Sequence, residues 1–589
     1  MNPAARIFIK SLSVLGGLIL GALPFAECAP VRLSEEAPTT VTRPASGVIL
    51  VDFGNVAFGN LRLIPPAGAK GKLRVHFGEA TKSGRIDRKP PGTVRYASAE
   101  IEIDGKPIVV APPADPRNTK QPAAVLTPPE WGVVLPFRWV EIEGWPGDFK
   151  PANAVRQAGY LAAWNDSAAA FESSDKTLDR IWDLCRHSIK ATTFAGIYVD
   201  GDRERIPYEA DAYLNQLSHY ATDNDLEMAR DSFDRLMKNP TWPSEWAPHM
   251  VFMAHADWMR TGDAKWLSPR YESLKSKLLM ERVGGDGWVR SDKKQQGWND
   301  IVDWPQAERD GFEFREVNTV VNAFHLAALA KMADLARAVG KSAEADDYAA
   351  RFKKGREQFN AALFMEEKAA YRDGIGSEHA SSHAGLFPLA FGLVPEENAH
   401  AVAANLAKRG MTCSVYAAQY LLEGLFQSGA GRAAMDLILA KGDRSWRHML
   451  DSGTTITWEA WDQKYKPNQD WNHAWGAAPA NLLPRFVLGA EPLTAGWETA
   501  RIRPSLSGLT EAQGKIPTPR GPVSIHWIKN SAFNLKIELP PGMTAMVEIP
   551  AADPSSHVWV DGKETAATLK GGRLCLTPPL EGSRVITVK

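Results

Sequence analysis

A long stretch of helical pattern, bounded on both sides by β pattern, most constrains the fold of this 589-residue chain. From residue 170 to residue 490, apolar side chains recur at the spacing of amphipathic helices. In the first predicted helix, 177–194, one apolar stripe is formed by Leu178, Ile181, Trp182, Cys185 and Ile189. Further stretches with this spacing are 207–236, 246–262, 315–339, 342–361, 396–407, 414–428 and 474–488.

The length of the helical stretch predicts its architecture. At roughly 26 residues for a helix and its loop, it holds about twelve helices. Twelve helices in one domain indicate a closed ring of paired helices, although the sequence shows no strict repeat.

Short alternating runs on both sides of the helical stretch predict β-sheet. Before it, the runs are 48–53, 72–77, 101–104 and 137–144, and after it they include 523–528, 535–539 and 585–588. In 137–144 we expect Phe137, Trp139 and Ile142 on the buried face. The chain is therefore predicted to be a multidomain α+β protein. Antiparallel β-sandwich domains at 30–168 and 491–589 would flank a helical domain at 169–490.

The first 29 residues have the pattern of a secretory signal peptide. Arg6 and Lys10 precede an apolar run, 12–26, that is too short for a comfortable membrane span. We expect this leader to be removed and the protein to be secreted or periplasmic. A lipid-anchored Cys28 is the less favoured alternative, because Glu27 immediately before it fits lipidation poorly. No other run approaches 18 apolar residues, so no membrane span is expected.

Charge and cysteine content exclude several classes of function. Lys plus Arg is 68 and Asp plus Glu is 69, which argues against a nucleic-acid partner held by phosphate neutralisation. Cys185, Cys413 and Cys575 are widely spaced and odd in number, and are expected to be buried small hydrophobic residues. The sequence has no H-E-x-x-H, P-loop, Rossmann glycine pattern or G-x-S-x-G. We expect no metal and no cofactor.

The densest polar cluster of the helical stretch is 200–211. Pro207 suits the first turn of a helix, so the preceding acids lie on a loop and Asp211 lies one turn into the helix. Glu204, Tyr208 and Asp211 are spaced to converge at that helix start. Two interpretations are open here: a solvated, salt-bridged helix start, or a group of carboxylates for acid–base chemistry on a sugar.

A second candidate acid, Glu459, lies between Trp458 and Trp461. Burial among aromatic side chains raises the pKa of a carboxyl group, which suits an acid or base role. The alternative is a surface glutamate with buried tryptophan neighbours. His473 follows in 471–476 and would more often be structural than catalytic when taken alone. Five Trp residues fall between 446 and 475, which makes an aromatic-lined pocket plausible.

Two further loops, 239–246 and 297–304, combine tryptophan with acidic residues and contain Trp246 and Trp298. Sugar rings can stack on tryptophan while carboxylates accept hydrogen bonds from sugar hydroxyls. Hydrophobic packing of the loops explains the pattern equally well.

Together these segments resemble the α-L-rhamnosidases of glycoside hydrolase family 78, in the six-hairpin glycosidase superfamily. The family motif D-C-P-x-R-D-E-R-x-G-W-T-G-D-A is similar to 200–212, with Glu204, Arg205 and Asp211 in register and Tyr208 at the Trp position. A motif like G-A-T-T-x-W-E-R-W matches 453–461 around Glu459, and N-H-x-x-x-G is echoed at 472–476. The resemblance spans nearly the whole chain after the leader.

The chain also departs from the family pattern. It is two residues shorter between Asp200 and Glu204, Pro207 replaces a Gly, and Glu209 replaces a Thr. The positions of Asp200 and Arg203 as sugar contacts are therefore less secure. These changes leave the exact sugar open more than the reaction.

The resemblance implies a central (α/α)6 barrel and hydrolysis of terminal α-L-rhamnose with inversion, from glycosides or from side chains of oligosaccharides or polysaccharides. Glu204 would be the general acid, held protonated by Asp200 or Asp211, and Glu459 the general base. The substrate contacts implied are Asp200, Arg205, Tyr208, Asp211, Trp246, Trp298, Trp458, Trp461 and His473. The expected partner is a rhamnose-containing glycan.

Two rival functions fit parts of the same pattern. Another six-hairpin glycosidase or a polysaccharide lyase would keep the helical ring, and a lyase would take its base from His383 or Tyr416. A non-catalytic carbohydrate-binding protein would not need two acids facing across a pocket.

Overall fold

The computed structural model describes residues 28–550 and 556–589. The predicted leader lies outside this part of the chain, apart from its last two residues, Cys28 and Ala29, so its removal stays a prediction. None of the helices in the described part combines the length and the apolarity that crossing a bilayer requires.

The N-terminal region forms an eight-stranded antiparallel sheet. Its strands are Val31–Glu36, Thr40–Ala45, Val48–Leu63, Gly71–Gly78, Tyr96–Ile103, Ile108–Val110, Leu135–Glu143 and Ala154–Leu161. The four runs predicted before the helical stretch all fall in these strands. One side-chain prediction in Leu135–Glu143 is wrong, because Phe137 and Ile142 are buried but Trp139 is half-exposed. The register with the strand Val48–Leu63 shifts between Asp52 and Ala57. After Phe137, the next side chain on the buried face is therefore that of Val140 and not that of Trp139.

The central region contains twelve α-helices of five or more residues in the part of the chain that the structure describes. They are Lys176–Thr192, Glu209–Thr222, Glu227–Lys238, His249–Thr261, Thr319–Ala338, Ser342–Leu363, Ser382–Ala390, Glu396–Arg409, Val415–Gln427, Gly431–Ile438, Trp446–Asp451 and Ala478–Leu482. Four-residue helices lie at Ala264–Leu267 and Tyr271–Leu274. The helix Lys176–Thr192 begins where the Asp175 carboxylate accepts hydrogen bonds from the N–H groups of Thr177 and Leu178. The apolar stripe predicted for this helix is buried.

Six of these helices form a closed inner ring. Each packs against the next in the order Glu209–Thr222, His249–Thr261, Thr319–Ala338, Ser382–Ala390, Val415–Gln427 and Ala478–Leu482, and the last packs back against the first. Others, such as Glu227–Lys238 and Ser342–Leu363, pack outside the ring. This arrangement confirms the predicted helical barrel and, with its β-rich flanks, the predicted fold class.

Some helix bounds differ from the sequence patterns. The stretch 207–236 is two helices, because Asp223 leaves the helical conformation and ends the first of them. The pattern at 474–488 is broken into Ala474–Gly476, Ala478–Leu482 and Leu483–Leu488, with Pro479 and Pro484 in the first turns of the later two. Ser382–Ala390, Gly431–Ile438 and Trp446–Asp451 were absent from the predicted set.

The C-terminal region contains two further sheets. One has the strands Ala170–Ser173, Glu511–Ile516, Val523–Lys529, Phe533–Glu538, Val558–Val560, Lys563–Thr565 and Ser583–Val588. The other has Ala490–Pro492, Thr499–Ile502, Thr544–Pro550, Ala567–Lys570, Arg573–Leu576 and Leu580–Glu581. Thr499–Ile502 pairs in parallel with Thr544–Pro550, which corrects the purely antiparallel expectation. Ala170–Ser173 precedes the first helix yet pairs with Glu511–Ile516.

The N-terminal sheet packs against one end of the helical ring. Phe58 of the sheet stacks on Phe194 with ring centroids 3.9 Å apart, and the Val56 N–H donates to Thr455 Oγ1 at 2.8 Å. The loops 195–208 and 453–473 lie at this end, so residues of the N-terminal region help to position them. Cys185 and Cys413 are buried, as predicted, whereas Cys575, also predicted to be buried, is half-buried.

Candidate active site

The predicted acid motif forms a tight loop that leads into the helix Glu209–Thr222. Asp200 closes the loop, because its N–H donates to the Ile206 carbonyl at 3.0 Å and its Oδ1 accepts from the Ile206 N–H at 2.9 Å. Gly201 lies against Asp470, and a Cβ at this glycine would stand 2.7 Å from Asp470 Oδ2. Only a residue without a side chain permits this approach.

The predicted base motif lies opposite this loop in a segment without regular secondary structure. The backbone N–H of His473 donates a hydrogen bond to the Thr457 carbonyl at 2.9 Å. Trp475 Nε1 donates to the Glu459 carbonyl at 3.1 Å. These contacts fix Glu459, which is buried, beside the segment that carries Asp470 and His473.

One guanidinium joins the two candidate acids. Arg203 donates to Glu459 Oε2 from Nη1 at 2.7 Å and to Oε1 from Nη2 at 3.0 Å. Its Nε lies 3.3 Å from Glu204 Oε1. Lys466 Nζ adds a second cation 3.1 Å from Glu459 Oε1. The structure therefore brings Glu204 and Glu459 into contact with the same arginine.

The pKa of Glu459 differs from the expectation of a raised value. Burial does oppose its ionisation, but the hydrogen bonds and charge of Arg203, together with His473 and Lys466, outweigh burial and lower the pKa to about 2. The expectation of a raised pKa rested only on the neighbouring tryptophans. The cations that lower the pKa are Arg203, Lys466 and His473, which lie outside the motif around Glu459. Glu459 is thus a carboxylate at neutral pH, which is the state that a base requires.

Glu204 lies in a more open position than Glu459. Its side chain is 30% exposed, against 3% for that of Glu459. The Tyr208 hydroxyl donates to Glu204 Oε2 at 3.1 Å. Tyr208 and Arg203 therefore hold one carboxyl oxygen each, and the Glu204 side chain remains reachable from solvent.

Beneath these acids lies a buried layer of charged groups. His473 Nε2 donates to Asp211 Oδ1 at 2.7 Å, and its Nδ1 lies 3.3 Å from Asp470 Oδ1. Burial lowers the pKa of His473, but the two carboxylates overcome this and raise it to about 10. Burial holds the pKa of Asp200 well above its usual range. Asp200 Oδ2 and Asp470 Oδ2 are buried and have no hydrogen-bond partner among the described residues, so each can form a hydrogen bond with a hydroxyl-bearing ligand, Asp200 as a donor when it is protonated.

Arg205 does not occupy the substrate-contact position that was predicted. Its guanidinium is buried, donates to Asp202 Oδ1 at 2.7 Å and to the Val134 carbonyl at 2.7 Å, and lies over the Phe194 ring. Asp202 is also bound by Arg95 of the N-terminal region. Because Asp202 and the Val134 carbonyl take up the Nε and Nη2 donors of Arg205 inside the protein, Arg205 ties the acid loop to the N-terminal region.

The predicted tryptophans have different surroundings. Trp461 is fully buried, donates from Nε1 to the Cys413 carbonyl at 2.8 Å and packs edge-on against Trp446, so its ring lies in the core. Trp458 stacks on Trp471 at 4.9 Å, and the ring nitrogens of both are buried without a partner among the described residues. Trp246 packs beside Tyr208 at 5.5 Å, and Trp298 is exposed.

The residues proposed for a lyase are poorly placed to reach a substrate. His383 is fully buried, and its Nε2 lies 2.6 Å from Asp303 Oδ2. Tyr416 is buried and stacks on Trp475. Both side chains belong to the interior of the helical ring.

Glu459, Asp470 and His473 have ligand atoms within 4.8 Å of one another, a spacing that a metal ion could accept. Both oxygens of Glu459 are already bound by Arg203, and Lys466 adds further positive charge. His473 carries a proton on the nitrogen that would have to coordinate. These residues therefore fit an ion-paired acid–base site better than a metal site.

Sequence reasoning missed Lys466 and Asp470 and left Arg203 as a less secure sugar contact. Lys466 and Asp470 follow Glu459 within eleven residues, but nothing in their local pattern separates them from ordinary loop residues. Arg203 is 256 positions from its partner Glu459, so only the fold brings them together.

Comparison with known proteins identifies the family to which the helical region and the C-terminal region belong. Residues 166–487 match the family model of the bacterial α-L-rhamnosidase 6-hairpin glycosidase domain, and residues 489–564 match that of the bacterial α-L-rhamnosidase C-terminal domain. An α-L-rhamnosidase of Formosa agariphila is 24% identical over 466 residues, covering 72% of this chain and 49% of the relative. An α-L-rhamnosidase of an Alteromonas species is 24% identical over 562 residues, covering 89% of this chain and 58% of the relative.

The fold is also that of solved rhamnosidase structures. The Streptomyces avermitilis α-L-rhamnosidase complexed with L-rhamnose superposes with a TM-score of 0.77 at 20% identity, over 96% of this chain and 54% of that one. This chain spans about half the length of the curated relatives it matches. The first family model alone covers more than half of the 589 residues. The chain therefore belongs to the bacterial α-L-rhamnosidase family with a six-hairpin glycosidase domain.

Proposed function

We propose that this protein hydrolyses terminal α-L-rhamnosides with inversion of configuration, with Glu204 as general acid and Glu459 as general base. One observation supports the proposal: a partly exposed and a buried carboxyl group contact the same guanidinium, Glu204 at Nε and Glu459 at Nη1 and Nη2 of Arg203. Inverting glycosidases need two carboxyl groups about 6.5–9.5 Å apart, with room for a water between the base and the sugar. Membership of the rhamnosidase family and the names of the relatives support the choice of sugar.

The different environments of the two acids support different roles. Glu459 is ionised, because Arg203 and Lys466 stabilise its charge, so it can accept the proton of an attacking water. Glu204 faces the more open side, where the leaving oxygen would receive its proton. Tyr208 donates to one oxygen of Glu204 and so fixes the direction in which the carboxyl group points.

The buried layer would grip the sugar. Asp200 Oδ2 and Asp470 Oδ2 have no hydrogen-bond partner among the described residues, and neither have the ring nitrogens of Trp246 and Trp458, which are donors. Sugar hydroxyls both donate and accept hydrogen bonds and so match such a mixed set. The cationic His473 holds Asp211 and Asp470 in place from within.

The test is an assay with 4-nitrophenyl α-L-rhamnoside, in which proton NMR follows the anomer of rhamnose that is released first. We expect release of rhamnose, with the β anomer appearing before mutarotation. Early α anomer would contradict inversion. A lyase would leave this substrate intact and would instead form an unsaturated product, absorbing in the near ultraviolet, from a uronic-acid-containing polysaccharide assayed in parallel. Binding without release would favour a carbohydrate-binding protein.

We also propose that residues 1–29 direct the protein out of the cytoplasm and are then removed. The positive start and the apolar run of this segment support the proposal. The intact mass of the exported protein would test it, since a lipid on Cys28 would add the mass of the acyl chains.

A further inference from the structure

Two exposed tryptophans form a stacked pair beside the candidate active site. Trp242 and Trp298 have ring centroids 6.0 Å apart and an interplanar angle of 23°. Their exposed fractions are 42% and 62%, so both are among the most exposed large apolar side chains in the described part of the chain. Exposed aromatic surface of this kind marks a place where something binds.

The pair is held by the backbones of two loops. Asn299 Nδ2 donates to the Trp242 carbonyl at 2.9 Å, and the Ser244 N–H donates to the Asn299 carbonyl at 2.8 Å. Behind them, the Glu245 carboxylate accepts from the N–H groups of Ile301 and Val302, both at 3.0 Å. These bonds between the loops fix the tryptophans relative to each other, which lowers the entropy lost on binding.

The tryptophan pair is continuous with the candidate acid. The Tyr208 ring, whose hydroxyl donates to Glu204, contacts Trp242 with centroids 6.2 Å apart and an angle of 82°. Exposure increases along this row of rings, from half-buried Tyr208 through Trp242 to Trp298. The row thus begins at the proposed proton donor and ends in solvent.

The position of the acid identifies what lies along this row. A general acid stands at the leaving oxygen, so the leaving group must extend from Glu204 away from Glu459. Since Glu459 is buried and Glu204 is partly exposed to solvent, the leaving group extends out of the pocket on the side of Tyr208 and the tryptophan pair. The C–H faces of sugar rings pack on the negative faces of aromatic rings, while their hydroxyl groups stay in water.

We propose that Trp242 and Trp298 form a platform that binds the sugar units of an oligosaccharide leaving group beyond the terminal rhamnose. This inference rests on the proposed function, and it names the substrate class as a glycan chain rather than a small aglycone. The platform adds binding energy outside the rhamnose pocket, so it favours extended substrates without taking part in the chemistry.

The test compares one small and one extended substrate in single-residue variants. The substrates are 4-nitrophenyl α-L-rhamnoside and a tetrasaccharide with one terminal α-L-rhamnose on three further hexoses. The variants are Trp242→Ala and Trp298→Ala, and the control is Trp559→Ala, which removes a half-buried tryptophan of the C-terminal region. We expect each platform variant to lower kcat/KM on the tetrasaccharide about tenfold, while kcat/KM on the nitrophenyl glycoside changes less than about twofold. The control should match the unaltered protein on both substrates.

Equal losses on both substrates, or no loss on either, would overturn the platform. If the unaltered protein releases rhamnose from neither substrate, the proposed function fails, and the platform is then judged by calorimetric titration with the hexose trisaccharide alone. Binding that is lost in Trp298→Ala and retained in Trp559→Ala would support the platform even then. Absent binding, or equal binding by all variants, would refute it.

Discussion

Arg203 binds both carboxylate oxygens of Glu459, with Nη1–Oε2 and Nη2–Oε1 distances of 2.7 and 3.0 Å. Bidentate pairs of this kind are among the strongest hydrogen-bonded contacts in proteins. Here the pair decides the protonation state of the candidate base, because burial alone would have raised the pKa that Arg203 instead holds at about 2. The arginine also fixes how far the base lies from Glu204.

Removing this arginine should move the acidic limb of the pH–rate profile. In Arg203→Gln, burial of Glu459 is no longer offset, so its pKa rises and the acidic limb of kcat/KM shifts to higher pH by roughly one unit or more. Lys466→Gln is the matched control, since Lys466 makes a single contact with Glu459 at 3.1 Å and should shift the limb less. Because the pKa of Glu459 is about 2 in the unaltered protein, its kcat/KM should show no acidic limb from Glu459 between pH 3 and pH 8, whereas Arg203→Gln should show one. Profiles over this range, in steps of about half a unit, check this, and the same flat acidic side in both proteins would mean that Arg203 does not set the ionisation of the base.

Stability should fall in alkaline solution because of His473. The pKa of His473 is raised in the folded protein to about 10, above the value of about 6.5 expected when unfolded. Its contribution to stability is therefore complete below about pH 6.5 and is lost as the pH rises through about 10. Thermal unfolding midpoints at pH 6, 8 and 10 should decline more steeply in the unaltered protein than in His473→Gln, which should also unfold at a lower temperature at pH 6. Parallel declines would refute the buried ion pairs with Asp211 and Asp470.

Arg205 should behave as a structural residue. Arg205→Gln leaves the buried Asp202 with one arginine fewer, and breaking a buried pair costs about 3–5 kcal/mol. We expect a clearly lower unfolding temperature and a KM for the rhamnoside within about twofold of the unaltered value, since lost sugar contact is not involved. Arg95→Gln, which removes the other partner of Asp202, should show the same pattern. A raised KM at unchanged stability would restore Arg205 as a sugar contact.

Patterns within one segment predicted much of the fold. The stripe from Leu178 to Ile189 and the alternating strands before residue 165 depend on local periodicity, and they are present as predicted. The side-chain face of Trp139 was wrong because a register shift in a neighbouring strand changes the phase, which no pattern inside Leu135–Glu143 records.

The site shows the same division between local and distant information. The two acid motifs predicted a pairing of Glu204 with Glu459, which stays a prediction, and both glutamates contact Arg203, which is 256 positions from Glu459. Arg205 and Trp461 were assigned to the pocket from their place in a motif, whereas their directions are set by Asp202, Val134 and Cys413. The sequence therefore indicated which residues belong to the candidate site, but it did not indicate the directions of their side chains.

The central claim is the division of labour between Glu204 and Glu459, and turnover of two substrates by Glu204→Gln and Glu459→Gln tests it most directly. With methyl α-L-rhamnoside, whose leaving group needs a proton, we expect both variants to lose about 10²–10⁴-fold in kcat. With 4-nitrophenyl α-L-rhamnoside, whose leaving group needs little help, Glu204→Gln should recover much of its rate while Glu459→Gln should not. Both variants should keep the circular dichroism of the unaltered protein. Rates like those of the unaltered protein in either variant, or equal losses by both variants on both substrates, would contradict the account.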